Sequence, residues 1–77
     1  MIEHQPQQNR FVITKGEHQC LLTYRLDGTN IDFDHTYVPF ALRGQGLAEE
    51  LVKAGLAWAK AQNYSIEASC SYVHKWL

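Results

Sequence analysis

Two glycines separated by one residue begin the most regular amphipathic segment of the chain, in the sequence Arg43-Gly44-Gln45-Gly46-Leu47-Ala48. No Ser, Thr or Asp stands directly before this segment as a helix cap. The first N–H groups of such a helix lack partners and carry the positive end of the helix dipole, and glycine lets an anion approach them closely. The pattern therefore predicts a pyrophosphate cradle, to which Arg43 could add a charge-assisted contact. The alternative is a loop that uses glycine only to turn tightly.

Two common phosphate-binding motifs do not fit this loop. A P-loop ends in Gly-Lys-Ser or Gly-Lys-Thr, whereas here Gly46 is followed by Leu47 and Ala48. The dinucleotide-binding fingerprint needs a third glycine at the position of Glu49. The sequence therefore favours neither a kinase-like nor a Rossmann-type site.

The segments before the loop have the period of β-strands. Residues 10–14, 18–26 and 30–38 are separated by breaks that contain Gly16 and Gly28, where hairpin turns need a positive φ. This arrangement predicts an antiparallel three-stranded meander.

Alternation within the third predicted strand assigns its side chains to two faces. Ile31, Phe33, His35 and Tyr37 fall on one face because successive side chains of a strand point to opposite sides. The pattern therefore predicts that His35 lies on the apolar face.

The period becomes helical from about Gly46 to Gln62, and Asn63 is expected to end the helix because Asn tolerates the left-handed conformation. Residues 64–70 predict a further short strand, and residues 71–77 predict one or two helical turns. A strand, a crossover helix and another strand form a βαβ unit, so the fourth strand should lie parallel to the third. The expected fold class is α/β (α+β).

Composition narrows the function classes. A chain of 77 residues is long enough for one domain, residues 1–77, with a thin core. The net charge of -1 gives no reason to expect a nucleic-acid partner, and no run approaches the roughly 18 apolar residues of a membrane span. Cys20 and Cys70 are too few and too far apart to indicate a disulfide framework or a zinc site. We expect a cytoplasmic protein, without a metal and without a membrane partner, as a monomer.

The loop also fits a more specific pattern. Arg43 to Ala48 matches the acyl-CoA loop Q/R-x-x-G-x-G/A of the GNAT acetyltransferase superfamily at every specified position. Two further stretches, His35-Thr36-Tyr37-Val38 and Cys70-Ser71-Tyr72-Val73, resemble the corresponding segments of the compact, single-domain GNAT-like proteins. The resemblance covers the chain from about Ile31 to its last residue. One departure is Ala68, where those proteins commonly have proline.

The resemblance implies that the chain binds acetyl-CoA as a cosubstrate. Its pantetheine arm would lie near Tyr37 and Val38 at the end of the third strand, and its pyrophosphate would contact the backbone of Arg43, Gly44, Gln45, Gly46, Leu47 and Ala48. Most GNAT enzymes transfer the acetyl group directly, often with a glutamate base and a tyrosine acid. This chain has no obvious pair of that kind at matching positions.

Cys70 is the candidate nucleophile, because the βαβ arrangement would bring the end of the fourth strand beside the end of the third. Its thiol could accept the acetyl group if a neighbour lowers its pKa, and His35 is the first candidate neighbour, with His74 the second. The alternative is that Cys70 is a buried structural cysteine and that His35 is a hydrogen-bonded core residue. Cys20 is interpreted as core.

The sequence thus predicts an acetyl-CoA-dependent N-acetyltransferase that acts on an amine acceptor of unknown identity. The alternative is a noncatalytic module that keeps the CoA cleft, or only the fold, and binds another protein.

Overall fold

The computed structural model describes residues 2–77. A five-stranded sheet has the strand order β1-β2-β3-β4-β5, in which β1 to β4 are antiparallel neighbours and β5 is parallel to β4. Two α-helices complete the fold, α1 between β4 and β5 and α2 after β5, and short 3-10 helices span Pro6–Gln8 and Phe40–Leu42. The bounds are β1 Ile2–Gln5, β2 Arg10–Lys15, β3 His18–Asp27, β4 Asn30–Tyr37, α1 Leu47–Ala61, β5 Ser65–Glu67 and α2 Ser71–His74.

The predicted meander is present as β2, β3 and β4, with Gly16 and Gly28 at φ +59° and +61° in its two turns. The predicted strand count was too low, because β1 adds a fourth antiparallel strand against β2. The residues of β1, Ile-Glu-His-Gln, lack the apolar alternation that identifies a strand. Tertiary contacts hold it instead: the His4 ring stacks on Phe11, with centroids 4.1 Å apart.

The helix α1 covers one face of the sheet, which we call the inner face. Leu51 and Val52 are fully buried there. Gly55 allows the close approach, since a Cβ at this position would lie 2.8 Å from Leu22 Cδ2 and 3.0 Å from Phe33 Cε1. Asn63, at φ +63°, follows the helix as predicted.

The strand β5 is shorter than the predicted 64–70 and pairs only with residues 30–32 of β4. After Glu67 the chain leaves the ladder and is held by side-chain contacts. The N–H and hydroxyl groups of Ser69 both donate to the Asp32 carboxylate at 2.7 Å, and the Cys70 N–H donates to the Phe33 carbonyl at 3.1 Å. After Phe33, the edge of β4 that faces β5 has no neighbouring strand within residues 2–77.

Within this described range, neither helix is long and apolar enough to cross a membrane. Cys20 is fully buried, as predicted for a core cysteine.

Candidate functional site

The loop between β4 and α1 has the backbone that its glycines suggested. Gly44 and Gly46 lie at φ +83° and +73°, a region that most L-residues rarely adopt. A Cβ at either position would have no heavy atom within 4 Å. The glycines are therefore required by the backbone conformation and face open space rather than another element.

The helix α1 begins without a side-chain cap. Gly46 is its N-cap residue, and Glu50 N–H donates to the Gly46 carbonyl at 3.2 Å. The preceding N–H groups, those of Leu47, Ala48 and Glu49, have no partner within the helix because of their position. This end of the helix therefore offers several donors together with the positive end of the helix dipole.

A cleft of about 260 Å³ lies against this loop. Most of the residues predicted to contact the cofactor line it, whereas Tyr37 and Gln45 do not. Three residues that were not predicted to contact the cofactor also line it: Leu42, Glu49 and Tyr72. The full lining consists of Val38, Leu42, Arg43, Gly44, Gly46, Leu47, Ala48, Glu49 and Tyr72.

The side chain of Arg43 turns back across the loop. Its Nε donates to the Val38 carbonyl at 3.2 Å, and its guanidinium carbon lies 5.8 Å from the centroid of the exposed Phe40 ring. Arg43 therefore ties the end of β4 to the start of the glycine loop while its charge stays at the solvent edge of the cleft.

A carboxylate also borders the cleft. Glu49, in the first turn of α1, pairs with Lys53 at 2.9 Å, one turn along the same helix. The pairing raises the pKa of Lys53, through its hydrogen bond and its charge interaction with Glu49. The lysine thus offsets a negative charge that would otherwise repel a phosphate at this end of the helix.

A β-bulge in β4 changes which residues face α1. Phe33 pairs with Tyr24 and His35 pairs with Thr23, so Asp34 is an extra residue in the ladder. From this point Thr36, opposite Leu22, lies on the inner face, and His35 lies on the opposite, outer face, where it is exposed. The predicted placement of His35 on the apolar face was therefore wrong, because regular alternation stops at the bulge.

The bulge also decides which residue meets Cys70. The Thr36 hydroxyl lies 3.6 Å from the Cys70 sulfur, and no hydrogen bond joins His35 to Cys70 in the part of the chain described here. The sequence does carry a signal for this change: apolar residues occupy odd positions at Ile31 and Phe33 but an even position at Val38. A role for His35 in catalysis stays a prediction.

Cys70 is half-buried and is the N-cap residue of α2, but its side chain makes no capping hydrogen bond. Burial, the largest single influence, would raise the pKa of this thiol. The nearby backbone N–H of Val73, the Thr36 hydroxyl and the N–H groups of Tyr72 and Thr36 together outweigh burial, so the pKa of Cys70 is lowered. By contrast, burial raises the pKa of Cys20. His74 is exposed, and its backbone N–H donates to the Cys70 carbonyl.

Cys70 does not line the cleft, but it is close to residues that do. Thr36 of β4 stands two residues before Val38, which follows the strand, and this corresponds to about 7 Å of extended chain. Cys70 likewise stands two residues before Tyr72. Val38 and Tyr72 both line the cleft. The thiol therefore lies beside β4, further from the glycine loop than Val38 is. Within residues 2–77 no group of three or more His, Cys, Asp or Glu side chains could hold a metal ion.

Known proteins are similar to this one in sequence and in fold. A family described as GCN5-related N-acetyl-transferase matches residues 10–77. Protein NATD1 of mouse is 34% identical over 79 residues, which covers 99% of this chain and 72% of NATD1. Human NATD1 is 33% identical, and the match covers 99% of this chain and 70% of that protein.

A solved structure shows the same architecture. The solution NMR structure of a GCN5-like protein from Staphylococcus aureus superimposes with a TM-score of 0.76 at 35% identity, over 99% of this chain and 76% of that one. The family match spans nearly the whole chain and includes the glycine loop, the bulged strand and Cys70. The chain therefore belongs to the GCN5-related N-acetyltransferase family.

Proposed function

We propose that this protein binds acetyl-CoA in the cleft beside the glycine loop and transfers the acetyl group to an amine. The observation that carries the proposal is the uncapped start of α1. Its N–H groups border a cleft of about 260 Å³ beside two glycines that leave their Cβ positions empty. That donor set suits a pyrophosphate, which needs several backbone hydrogen bonds and little steric hindrance.

The remainder of the cosubstrate would follow the exposed edge of β4. Pairing between β4 and β5 ends at Asp32, so the later residues of β4 can contact an extended chain of amide groups. Val38 lies within the cleft, and Thr36 follows in the direction away from the loop. A pantetheine arm that runs this way ends near Cys70.

Cys70 is the nucleophile in this proposal. Its thiolate attacks the thioester carbonyl, a carbon–sulfur bond forms to Cys70, and the CoA thiolate leaves and takes a proton from solvent. An amine then attacks the cysteine thioester, which forms the amide, restores the Cys70 thiolate and releases one proton. The lowered pKa of Cys70 supports this role because the thiolate is the reactive form.

His35 is proposed as the group that accepts a proton from the amine. It is exposed on the outer face of β4, next in sequence to Thr36. There its imidazole could take the proton that the amine releases when an acceptor approaches from that face. The acceptor itself is proposed only as a primary amine.

A titration of the ¹⁵N-labelled protein with CoA tests binding. We expect the largest amide shifts at residues 44–48, because these N–H groups would contact the pyrophosphate. Shifts of similar size elsewhere, with this loop unaffected, would reject the cleft as the CoA site.

Mass spectrometry after incubation with acetyl-CoA tests the chemistry. We expect one added acetyl group on Cys70, which hydroxylamine removes, and none in Cys70→Ala. Amine acetylation that survives in Cys70→Ala would show direct transfer without the cysteine intermediate. CoA binding without acetylation of the protein, or of any amine in a panel of diamines and lysine peptides, would favour a noncatalytic binding module.

A further inference from the structure

The hydroxyl of Thr36 occupies a special position on the inner face of β4. It is half-buried and lies 3.6 Å from the sulfur of Cys70, 34 residues away in the sequence. The distance permits a hydrogen bond that involves sulfur, in which either atom can be the donor when Cys70 is a thiol. A thiolate can only accept, so the hydroxyl must then be the donor.

The backbone around Cys70 is held in place independently of this contact. The Cys70 N–H donates to the Phe33 carbonyl at 3.1 Å, and Ser69 makes two hydrogen bonds of 2.7 Å to Asp32. These bonds attach the segment to β4 next to Thr36. With the backbone fixed, the position of the sulfur depends on the rotation of its side chain, and the Thr36 hydroxyl is the side-chain group within hydrogen-bond distance of it in the described residues.

Other titratable groups on these elements do not bond to the thiol. Those of β4 lie on its outer face after the bulge or upstream of it, and those of α2 follow Cys70 in the chain. They are Asp32, Asp34, His35 and Tyr37 of β4, Glu67 of β5, and Tyr72, His74 and Lys75 of α2 or its end. No hydrogen bond joins any of these side chains to the Cys70 sulfur within residues 2–77.

We propose that Thr36 is a positioning residue for acetyl transfer: its hydroxyl donates a hydrogen bond to the Cys70 thiolate and aims the sulfur along the edge of β4. The proposal rests on the proposed function, in which Cys70 is the nucleophile. No proton is transferred to or from Thr36, since the thiol proton goes to solvent and the hydroxyl keeps its own. The β-bulge is what makes this pairing available, because a regular strand would place His35 opposite Leu22 instead.

The test compares Thr36→Val with Thr36→Ser. Valine keeps the shape of threonine and removes the hydroxyl, whereas serine keeps the hydroxyl. The first readout is the rate of alkylation of Cys70 by iodoacetamide as a function of pH, measured by mass spectrometry of the Cys70 peptide without any CoA. Cys20, fully buried in the same protein, serves as the internal reference for a slow thiol.

We expect Thr36→Val to move the alkylation profile of Cys70 to higher pH and to slow the reaction near neutral pH by roughly three- to tenfold, because a thiolate loses a hydrogen bond. Thr36→Ser should restore most of the rate. The matched control, Thr14→Val, makes the same change at an exposed threonine of β2 and should leave the profile unchanged. A profile that moves equally in Thr14→Val and Thr36→Val, or in neither, would overturn the proposal.

The second readout is acetyl transfer itself. Thr36→Val should lower kcat with little change in the KM for acetyl-CoA, because the hydroxyl orients the nucleophile and does not bind the pyrophosphate. An unchanged kcat would overturn the positioning role. If wild-type protein alkylates as expected but transfers no acetyl group, the proposed function fails, and the role of Thr36 in transfer fails with it. If the wild type transfers acetyl groups but the alkylation profile of Thr36→Val does not move, only the positioning role of Thr36 is rejected.

Discussion

The Asp34 carboxylate accepts a 2.5 Å hydrogen bond from the Thr23 hydroxyl, directly across the β-bulge between β3 and β4. Arg25 Nε donates to the other carboxylate oxygen at 3.1 Å. The two bonds hold Asp34 on the outer face, so that the strand resumes beyond it with Thr36 facing the helix.

We expect Asp34→Ala to lower the free energy of unfolding by about 1–2 kcal/mol, because it removes a partly buried hydrogen bond to a charged group. Arg25→Ala should cost less than about 0.5 kcal/mol, since the Arg25 side chain is 79% exposed and surface ion pairs contribute little. Urea unfolding of both variants checks the ranking. Equal costs would mean that the ion pair, rather than the Thr23 bond, stabilises the bulge.

The glycine loop gives a second prediction, on CoA affinity. Asparagine tolerates a positive φ, so Gly46→Asn should keep the loop conformation and place a side chain in the open space at the cleft. We expect CoA binding to weaken by about tenfold or more, because the added side chain would prevent one or two hydrogen bonds to charged phosphate oxygens. Isothermal titration calorimetry measures the affinity.

The matched control is Gly28→Asn, at φ +61° in the hairpin turn between β3 and β4 and also without a neighbour within 4 Å of its Cβ position. It should retain wild-type affinity. If both variants lose CoA binding equally, the effect is one of folding and not of contact at the cleft.

A third prediction concerns the charge beside the cleft. Lys53→Met removes the partner of Glu49 and leaves a negative charge where the proposal places phosphate. CoA affinity should fall about two- to fivefold at low salt, and the difference should shrink at high salt, because the interaction is screened. Glu49→Gln should change affinity in the opposite direction.

Lys60→Met provides the comparison for Lys53→Met, since Lys60 is an exposed lysine in the last turn of the same helix. The CoA affinity of Lys60→Met should remain closer to that of the wild type than the affinity of Lys53→Met does. Equal losses in the two lysine variants would indicate a general effect of net charge.

Stability should depend on the protonation of His4. Burial lowers the pKa of His4, and its Nε2 lies 2.8 Å from the Tyr24 hydroxyl oxygen. Because the unfolded chain titrates at about pH 6.5 and the folded pKa lies below this, the unfolded state binds the proton more readily. The contribution of His4 to the free energy of unfolding should therefore be largest above about pH 6.5. It should decline as the pH falls through that value and stop changing below the folded pKa.

Urea unfolding at about pH 7.5 and about pH 5.5 checks this dependence. The loss of stability on acidification should be smaller in His4→Gln, which can still bond to Tyr24 but does not titrate. His18→Gln, a change at an exposed histidine of β3, should behave as wild type. An equal loss in His4→Gln and wild type would exclude His4 as the source.

Local sequence determined the parts of this protein that depend on neighbouring residues in the chain. The two hairpin turns, the helix end at Asn63 and the positive φ of Gly44 and Gly46 follow from backbone preferences of individual residues, and the structure has them where the sequence predicted. Cys20 was identified as core for a similar reason, since an apolar strand surrounds it. Of the loop residues that the family resemblance implied would contact the cofactor, all but Gln45 line the cleft.

Tertiary structure alone decided what depends on residues far apart in sequence. The strand β1 carries no apolar period and exists because His4 stacks on Phe11 across the ladder. The bulge at Asp34 depends on a hydroxyl and a guanidinium that β3 supplies. Those two bonds cannot be predicted from the residues of β4 alone. That one extra residue exchanges His35 for Thr36 on the inner face, which is why regular alternation, continued past Phe33, predicts the wrong partner for Cys70.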